Sequence, residues 1–420
     1  MSPDPVVVVG AGLAGLACAQ RLSRAGVEVQ VLEAADAVGG RVRTDLVDGF
    51  RCDRGFQLLN PAYPVLPHVL DLAQLDLKAF DAGVVAATGD RRAVLADPRR
   101  VPSRLPQTVT APLGTLADKL RFARWAATSL LPVRHLLRRP DRTLAESLDR
   151  AGLTGPLRTG VVEPFLAGVL AEWEGATSAN FAALLIRSFV LGSPAVPALG
   201  MGRLPELVAA SLPAGSVRLH TPVAAVTPTS VRTAAGEHLP ARAVVVATDP
   251  ETAGRLTAVA TPTMKALTTF WHTMAEAPTR TPLLHLDADR RGPVVNTAPM
   301  TTVAPSYAPA GRHLVATTVV GADGSGEAER AARRHAGLIY GVDAGRWELV
   351  TTHVIRAALP SQPPPLQPRQ PVRTGGVLVA GDHRDTASIQ GALVSGRRAA
   401  SAVLAAVGAV ADRGRGGGLG

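Results

Sequence analysis

Cysteine, lysine and aromatic residues are scarce in this chain of 420 residues. The two cysteines, Cys18 and Cys52, leave a single disulfide open but suggest no secreted disulfide framework, and they offer no metal-ligand spacing. Aromatics make up 4% of the residues, too few for a platform on which single-stranded nucleic acid stacks. No nucleic-acid motif accompanies the basic excess either, so no nucleic-acid partner is expected. No apolar run is long enough to cross a bilayer. The first strand begins near Val6, which leaves no room for an export signal ahead of it and points to a reducing, cytoplasmic setting. Lysine occurs only at 78, 119 and 265, so the cations are almost all arginine. They number 44 with the lysines against 34 acids, a net charge of +10. Such a surface permits attraction to anionic lipid. The hydrophobic content of 46% is enough for two cores.

What the chain does have is glycine in a particular order. Val6-Val-Val-Val reads as a buried parallel strand, apolar on both faces. Gly10, Gly12 and Gly15 follow at G-x-G-x-x-G spacing, then a helical pattern runs to about Ala25 and a second strand over 27–32 ends at Glu33. This is a βαβ unit of the dinucleotide-binding kind. Gly10 turns the chain out of the strand, Gly12 lets a diphosphate approach the backbone, and Gly15 lets helix and sheet pack closely. The helix N-terminus around Leu13 and Ala14 presents N–H groups to the anion. Glu33 is placed to accept hydrogen bonds from a ribose and to repel a 2′-phosphate.

After Glu33 come Gly39-Gly40-Arg41 and Thr44. With the βαβ unit, this segment resembles the N-terminal signature of the FAD-dependent amine oxidase, phytoene desaturase and protoporphyrinogen oxidase superfamily. The resemblance implies FAD rather than NAD, with Gly39, Gly40 and Arg41 against its diphosphate. It also implies that Gly55, Phe56 and Gln57 neighbour the flavin ring and that the backbone of Val223 pairs with adenine. Near the C-terminus, a strand ending in Gly381-Asp382 precedes a helix opening around Ile389, Gln390, Gly391 and Ala392. This resembles the family's second signature, in which Asp382 serves the ribityl and diphosphate side and the helix start faces the flavin pyrimidine. The family's covalent-flavin cysteine is absent here, so non-covalent FAD is expected.

The expected fold is α/β (α+β overall), a Rossmann-like FAD-binding domain built from discontinuous segments, 1–60, 200–260 and 370–412. Residues 61–199 and 261–369 are expected to form a substrate domain of mixed sheet and helical cap, and 413–420 a flexible tail. Helical patterns are clearest over 115–137, 143–150 and 181–191, and strands of a second sheet over 267–272, 282–286 and 313–320. Asp48-Gly49 marks a hairpin turn between Val47 and Phe50. Residues 119–142 mix leucine, Phe122 and Trp125 with arginine. A basic amphipathic helix can lie on a membrane, although a solvated basic face is the commoner reading. Gly321-Ala-Asp-Gly-Ser-Gly has its glycines in the wrong order for a second dinucleotide site, so electrons must come from the substrate.

The resemblance implies two-electron oxidation of a small molecule by hydride transfer to flavin. Lys265 is similar to the lysine with which amine oxidases hold a water against the flavin, and is the candidate catalytic residue. One departure stands out. Amine oxidases place an aromatic just before the C-terminal helix glycine, where this chain has Ser388 beside Ile389. That leaves open a desaturase or porphyrinogen-type oxidase of a lipophilic substrate at a membrane surface, or a flavin-binding partner protein without turnover. His272, His285, His313 and His353 show no paired spacing and read as structural or surface residues.

Overall fold

The computed structural model describes residues 4–415. Val6–Val9 (β1) is the centre of a six-stranded sheet, and all four valines are buried. It pairs in parallel with Val29–Leu32 (β2) on one side and with Ala243–Val246 on the other. Val217–Arg218 extends the sheet beyond β2, and Val377–Val379 then Arg373–Thr374 extend it at the other end. Segments from the start, middle and end of the chain thus share one sheet. Both faces are covered, as the apolar runs demand. The first helix (α1, Leu13–Arg24) and the last, Ile389–Arg415, cover one face; a three-stranded sheet over 223–240 lies toward the other.

The two helices cross closely. A Cβ at Gly396 would lie 1.9 Å from the Ala14 carbonyl oxygen, so glycine there sets the interhelical approach. The final helix includes residues 413–415, and the rest of the expected tail lies outside the described residues.

A second sheet has seven strands, ordered Glu348–Pro360, Met264–Met274, His313–Val320, Val294–Ala298, Leu284–Asp287, Gly83–Thr88 and Arg91–Ala96. The last two form a hairpin inside the region expected to be a helical cap. The hairpin joins the sheet by parallel pairing of Val84–Ala87 with Leu284–Asp287. Burial of Val84 to Ala87 explains it: a four-residue apolar run before the Gly89-Asp90 turn needs a sheet to cover it. The helix expected over 115–137 is interrupted. Leu116–Ala127 is followed by a 3-10 turn and a short helix from Val133 to Leu136. Pro132, which has no N–H to continue the ladder, is where the pattern breaks. The cap packs on its own apolar cluster around Leu148, Leu166, Phe181 and Ile186.

The Asp48-Gly49 turn forms as expected, with φ of 48° and 83°, between Thr44–Val47 (β3) and Phe50–Asp53 (β4).

Candidate functional site

The C-terminal end of β1 opens into the glycine loop. Gly10 adopts φ 102°, and a Cβ on it would come within 2.7 Å of the Ala247 carbonyl oxygen. A Cβ on Gly15 would come within 1.9 Å of the Gly10 carbonyl oxygen. These two glycines are required by the protein's own packing. Gly12 is different: nothing lies within 4 Å of the position its Cβ would take. It caps α1 without any side-chain hydrogen bond, and the first turn carries no acid. The loop therefore ends in open space at a helix N-terminus, a cradle for an anion.

The second glycine pair folds onto the first. Gly39 donates its N–H to the Ala11 carbonyl at 2.8 Å, and Gly12 bridges Gly39. Gly40, at φ 59°, has its Cβ direction 3.4 Å from the Gly12 Cα. The Glu33 carboxylate accepts from the Ala11 N–H at 2.6 Å and from the Ala35 N–H at 2.9 Å. Each of its oxygens keeps a lone pair, so Glu33 can shape the loop and still receive hydroxyl groups. The chain before Val223 runs alongside, with the Thr221 N–H on the Glu33 carbonyl at 2.7 Å.

Arg41 leaves this loop toward the far end of the chain. One of its amino groups donates to Asp382 at 2.6 Å and the other to the Ala358 carbonyl at 3.1 Å. Burial works against the Arg41 charge, but the Asp382 carboxylate, and Asp249 behind it, outweigh this and raise its pKa. The Arg41 side chain keeps about a third of its surface open, whereas Asp382 is buried. Beside them the His383 imidazole is buried, and burial pushes it down to about 4, so it is neutral. Neither of its ring nitrogens has a hydrogen-bond partner.

Gly55 and Phe56 stand against the second sheet: the Phe56 N–H meets the Thr269 hydroxyl at 3.3 Å, and a Cβ at Gly55 would touch Ile355. Gln57 ties the loops together by donating to the carbonyls of Arg41 and Arg54. At the last helix, a Cβ on Gly391 would lie 1.9 Å from the Thr386 carbonyl oxygen. Ser388 caps this helix, accepting from the Gly391 N–H at 3.0 Å. Its hydroxyl thus has a local task where an aromatic was the expectation for amine oxidases. Gln390 points its amide oxygen at the Val65 N–H, while Ile389 and Ala392 pack on the first core.

Lys265 lies apart from these loops in its hydrogen bonding. Its ammonium donates to Glu172 at 2.7 Å, to the Thr177 hydroxyl at 2.8 Å and to the Leu170 carbonyl at 3.2 Å. All three N–H donors are committed to protein acceptors. Holding a water at a flavin would require one of these bonds to be given up. Two partners at this contact, Glu172 and Thr177, carried no motif in the sequence.

Sequence reading also passed over Asp53. Its buried carboxyl accepts from the Thr44 hydroxyl at 2.5 Å, the Met201 N–H at 2.8 Å and the Tyr307 hydroxyl at 2.9 Å. Burial pushes its pKa up to about 6. Asp53 thereby joins β4, the Gly200 turn and a residue of the second apolar core. Its only sequence signal was position, next to Arg54-Gly55.

The profile of the flavin containing amine oxidoreductases matches residues 13–404. The chain belongs to this family. Its fold is amine oxidase-like. Sequence relatives match only locally. Polyamine oxidase 4 of Oryza sativa subsp. japonica is 49% identical over 59 residues, 14% of this chain and 12% of the relative. Hydroxyneurosporene desaturase of Cereibacter sphaeroides is 69% identical over 39 residues, 9% of this chain and 8% of the relative. Against both, the chain spans well under a fifth of the relative's length. Likeness of fold is far more extensive. An oxidoreductase from Methanosarcina mazei superposes with a TM-score of 0.74 at 16% identity, covering 94% of this chain and 99% of that one. Putrescine oxidase bound to putrescine gives 0.68 at 18%, covering 96% and 99%.

The family's cofactor fits the residues present. The open space at Gly12, the uncapped start of α1 and the partly open Arg41 side chain suit the diphosphate of a flavin nucleotide. Among the described residues, no helix is long and apolar enough to cross a membrane.

Proposed function

We propose that this chain binds FAD without a covalent link and uses it for the two-electron oxidation of a small organic substrate. The observation that carries the reading is the convergence of three distant motifs. The glycine loop at Gly10 to Gly15, the Gly39-Gly40-Arg41 turn and Asp382 are held together by the Ala11–Gly39 and Arg41–Asp382 hydrogen bonds. Bound there, FAD would supply the hydride acceptor.

In this reading the chain's own residues divide the work. Gly12, Leu13, Ala14 and Gly15 offer backbone N–H groups to the diphosphate, with Gly39 and Gly40 alongside. Glu33 and the Val223 backbone receive the adenosine end. Arg41 adds charge, and Asp382 with Gly381 fixes its direction. Gly55, Phe56 and Gln57 on one side and Ile389, Gln390, Gly391 and Ala392 on the other border the ring. With the cofactor bound, the dipole at the start of the last helix would favour negative charge on the ring's pyrimidine edge. Lys265 is the candidate for a group acting at the reacting edge, a task that requires it to give up one of its three hydrogen bonds, the longest of which is to the Leu170 carbonyl. We divide the chain into a cofactor unit over 1–60, 200–260 and 370–412 and a substrate unit over the remainder.

The test is spectroscopic. The purified chain, supplied with FAD, is expected to show flavin absorbance, and acid precipitation to release all of the flavin to the supernatant. No flavin spectrum after FAD addition would sink the proposal. Flavin retained in the pellet would overturn the non-covalent part alone.

A second reading for the substrate rests on Ser388 and Ile389. By the family resemblance, the N-cap Ser388 and the aliphatic Ile389 correspond in sequence to the position where amine oxidases carry an aromatic. This favours a lipophilic substrate of the desaturase kind over a polyamine. Anaerobic bleaching of the flavin by carotenoid precursors, and not by putrescine or monoamines, is the outcome it predicts.

A further inference from the structure

The cap helix Leu116–Ala127 has no buried residue, although it is 12 residues long. It carries two apolar faces. Phe122, Trp125 and Ala126 pack inward on the cap's core. On the opposite side, Leu116, Leu120, Ala123 and Ala127 follow one another at steps of four, three and four, and all are exposed. The two leucines keep 58% and 62% of their surface open. A leucine stripe on the outer face of an otherwise anchored helix has no packing reason.

Further exposed apolar side chains flank the helix in sequence. Leu105 and Val109, one turn apart on the preceding helix, are exposed as well, and so are Leu130, Leu131 and Val133 after it. Lys119 links the first two helices by donating to the Val109 and Ala111 carbonyls. Arg187 fastens 130–131 to the cap by donating to their carbonyls.

Charge is concentrated in the same place. Residues 99–142 hold ten Arg and Lys against two Asp, a net +8 of the chain's +10. Both acids are already engaged: Asp118 caps its own helix and pairs with Arg121, and Asp141 accepts from the Ser178 hydroxyl and the Leu366 N–H. Arg124, Arg134, Arg138 and Arg139 are exposed and have no acidic partner among the described residues. Exposed leucines flanked by unpaired arginines fit an interface that is apolar inside and anionic at its rim.

We infer that this face of the cap, from Leu105 to Arg139, docks on an anionic lipid bilayer, with the leucines entering the acyl boundary and the arginines meeting the headgroups. The inference goes beyond the flavin reading and does not rest on it.

Sedimentation with vesicles tests it, using the full chain. Vesicles of phosphatidylglycerol and phosphatidylcholine in equal parts are expected to bind the protein, and phosphatidylcholine alone to bind it weakly. Replacing Arg124, Arg134, Arg138 and Arg139 by Gln is expected to weaken binding about fivefold for each arginine replaced. The variant Leu116→Ser/Leu120→Ser is expected to lose about tenfold or more. Both variants should keep the parent's melting temperature, because the altered side chains are exposed. No binding to the anionic vesicles, or binding that the leucine variant leaves unchanged, would overturn the inference. So would a dimer in light scattering that the leucine variant dissolves, because the stripe would then face a second copy of the chain.

Discussion

The Arg41 guanidinium donates to the Asp382 carboxylate at 2.6 Å although 341 residues separate them in the sequence. Removing one partner leaves the other charged and partly or wholly buried, which costs more than the pair contributes. Asp382→Asn keeps the shape and removes the charge. We expect it to weaken FAD binding about 10- to 100-fold, the worth of one charge-assisted hydrogen bond. Quenching of flavin fluorescence on titration reads this directly. Arg41→Lys should do little better than Arg41→Met, because a lysine cannot reach Asp382 and the Ala358 carbonyl at once.

Gly12 and Gly15 separate binding from folding. A methyl group at Gly15 meets the Gly10 carbonyl oxygen at 1.9 Å, so Gly15→Ala should lower the melting temperature of the protein without any ligand. At Gly12 the same methyl meets no protein atom. Gly12→Ala should therefore leave the melting temperature of the apoprotein unchanged and reduce FAD affinity by about tenfold or more, a cost of ~1.4 kcal/mol or above. Equal effects on both quantities in both variants would contradict the assignment of Gly12 to the ligand.

Lys265 and Glu172 are both largely buried, with 12% and 8% of their side-chain surface open. Lys265→Met and Glu172→Gln should each destabilise by about 3 kcal/mol or more, because each leaves a buried group uncompensated. The double variant should recover part of this loss, giving a coupling of about 1–3 kcal/mol in chemical denaturation. Additive losses would mean that the ion pair contributes nothing of its own.

Asp53 gives a pH dependence of definite sign. Its folded pKa is raised to about 6 from the ordinary 3.8, because burial disfavours the charged form. Between these values the folded state binds the proton and the unfolded state does not. The stability contributed by this group is thus fully present below 3.8 and is lost as pH rises through about 6. The loss is at most about 3 kcal/mol. Asp53→Asn lacks this titration. The difference in unfolding free energy between parent and variant should therefore move in the variant's favour from pH 5 to pH 7.5, and a pH-independent difference would refute the assignment.

The parts of the fold that announced themselves in sequence were those whose backbone geometry only certain residues permit. Gly10 at positive φ, the Asp48-Gly49 turn and the all-valine β1 have few alternatives, and each could be placed by residue type alone. What stayed hidden depended on partners far away. The strand Glu348–Pro360 alternates weakly and is half exposed, so it carries no clean period, and its pairing with Met264–Met274 reveals it. The hairpin at 83–96 was masked by the prolines and helices around it. Among site residues, Gly39, Arg41 and Asp382 belonged to motifs. Asp53, Glu172 and Thr177 did not: their importance comes from burial beside Tyr307 and Lys265, which no local window contains.

The crossing of the first and last helices at Ala14 and Gly396 has a consequence for synthesis. The elements around Gly10 leave the ribosome early, yet the helix that completes the cover beside α1 arrives only with residues near 396. Until then α1 lacks the part of its burying surface that the last helix supplies. The nascent chain therefore carries an incompletely covered sheet until that helix has been made. Completion of this core thus waits for the helix that carries Gly396.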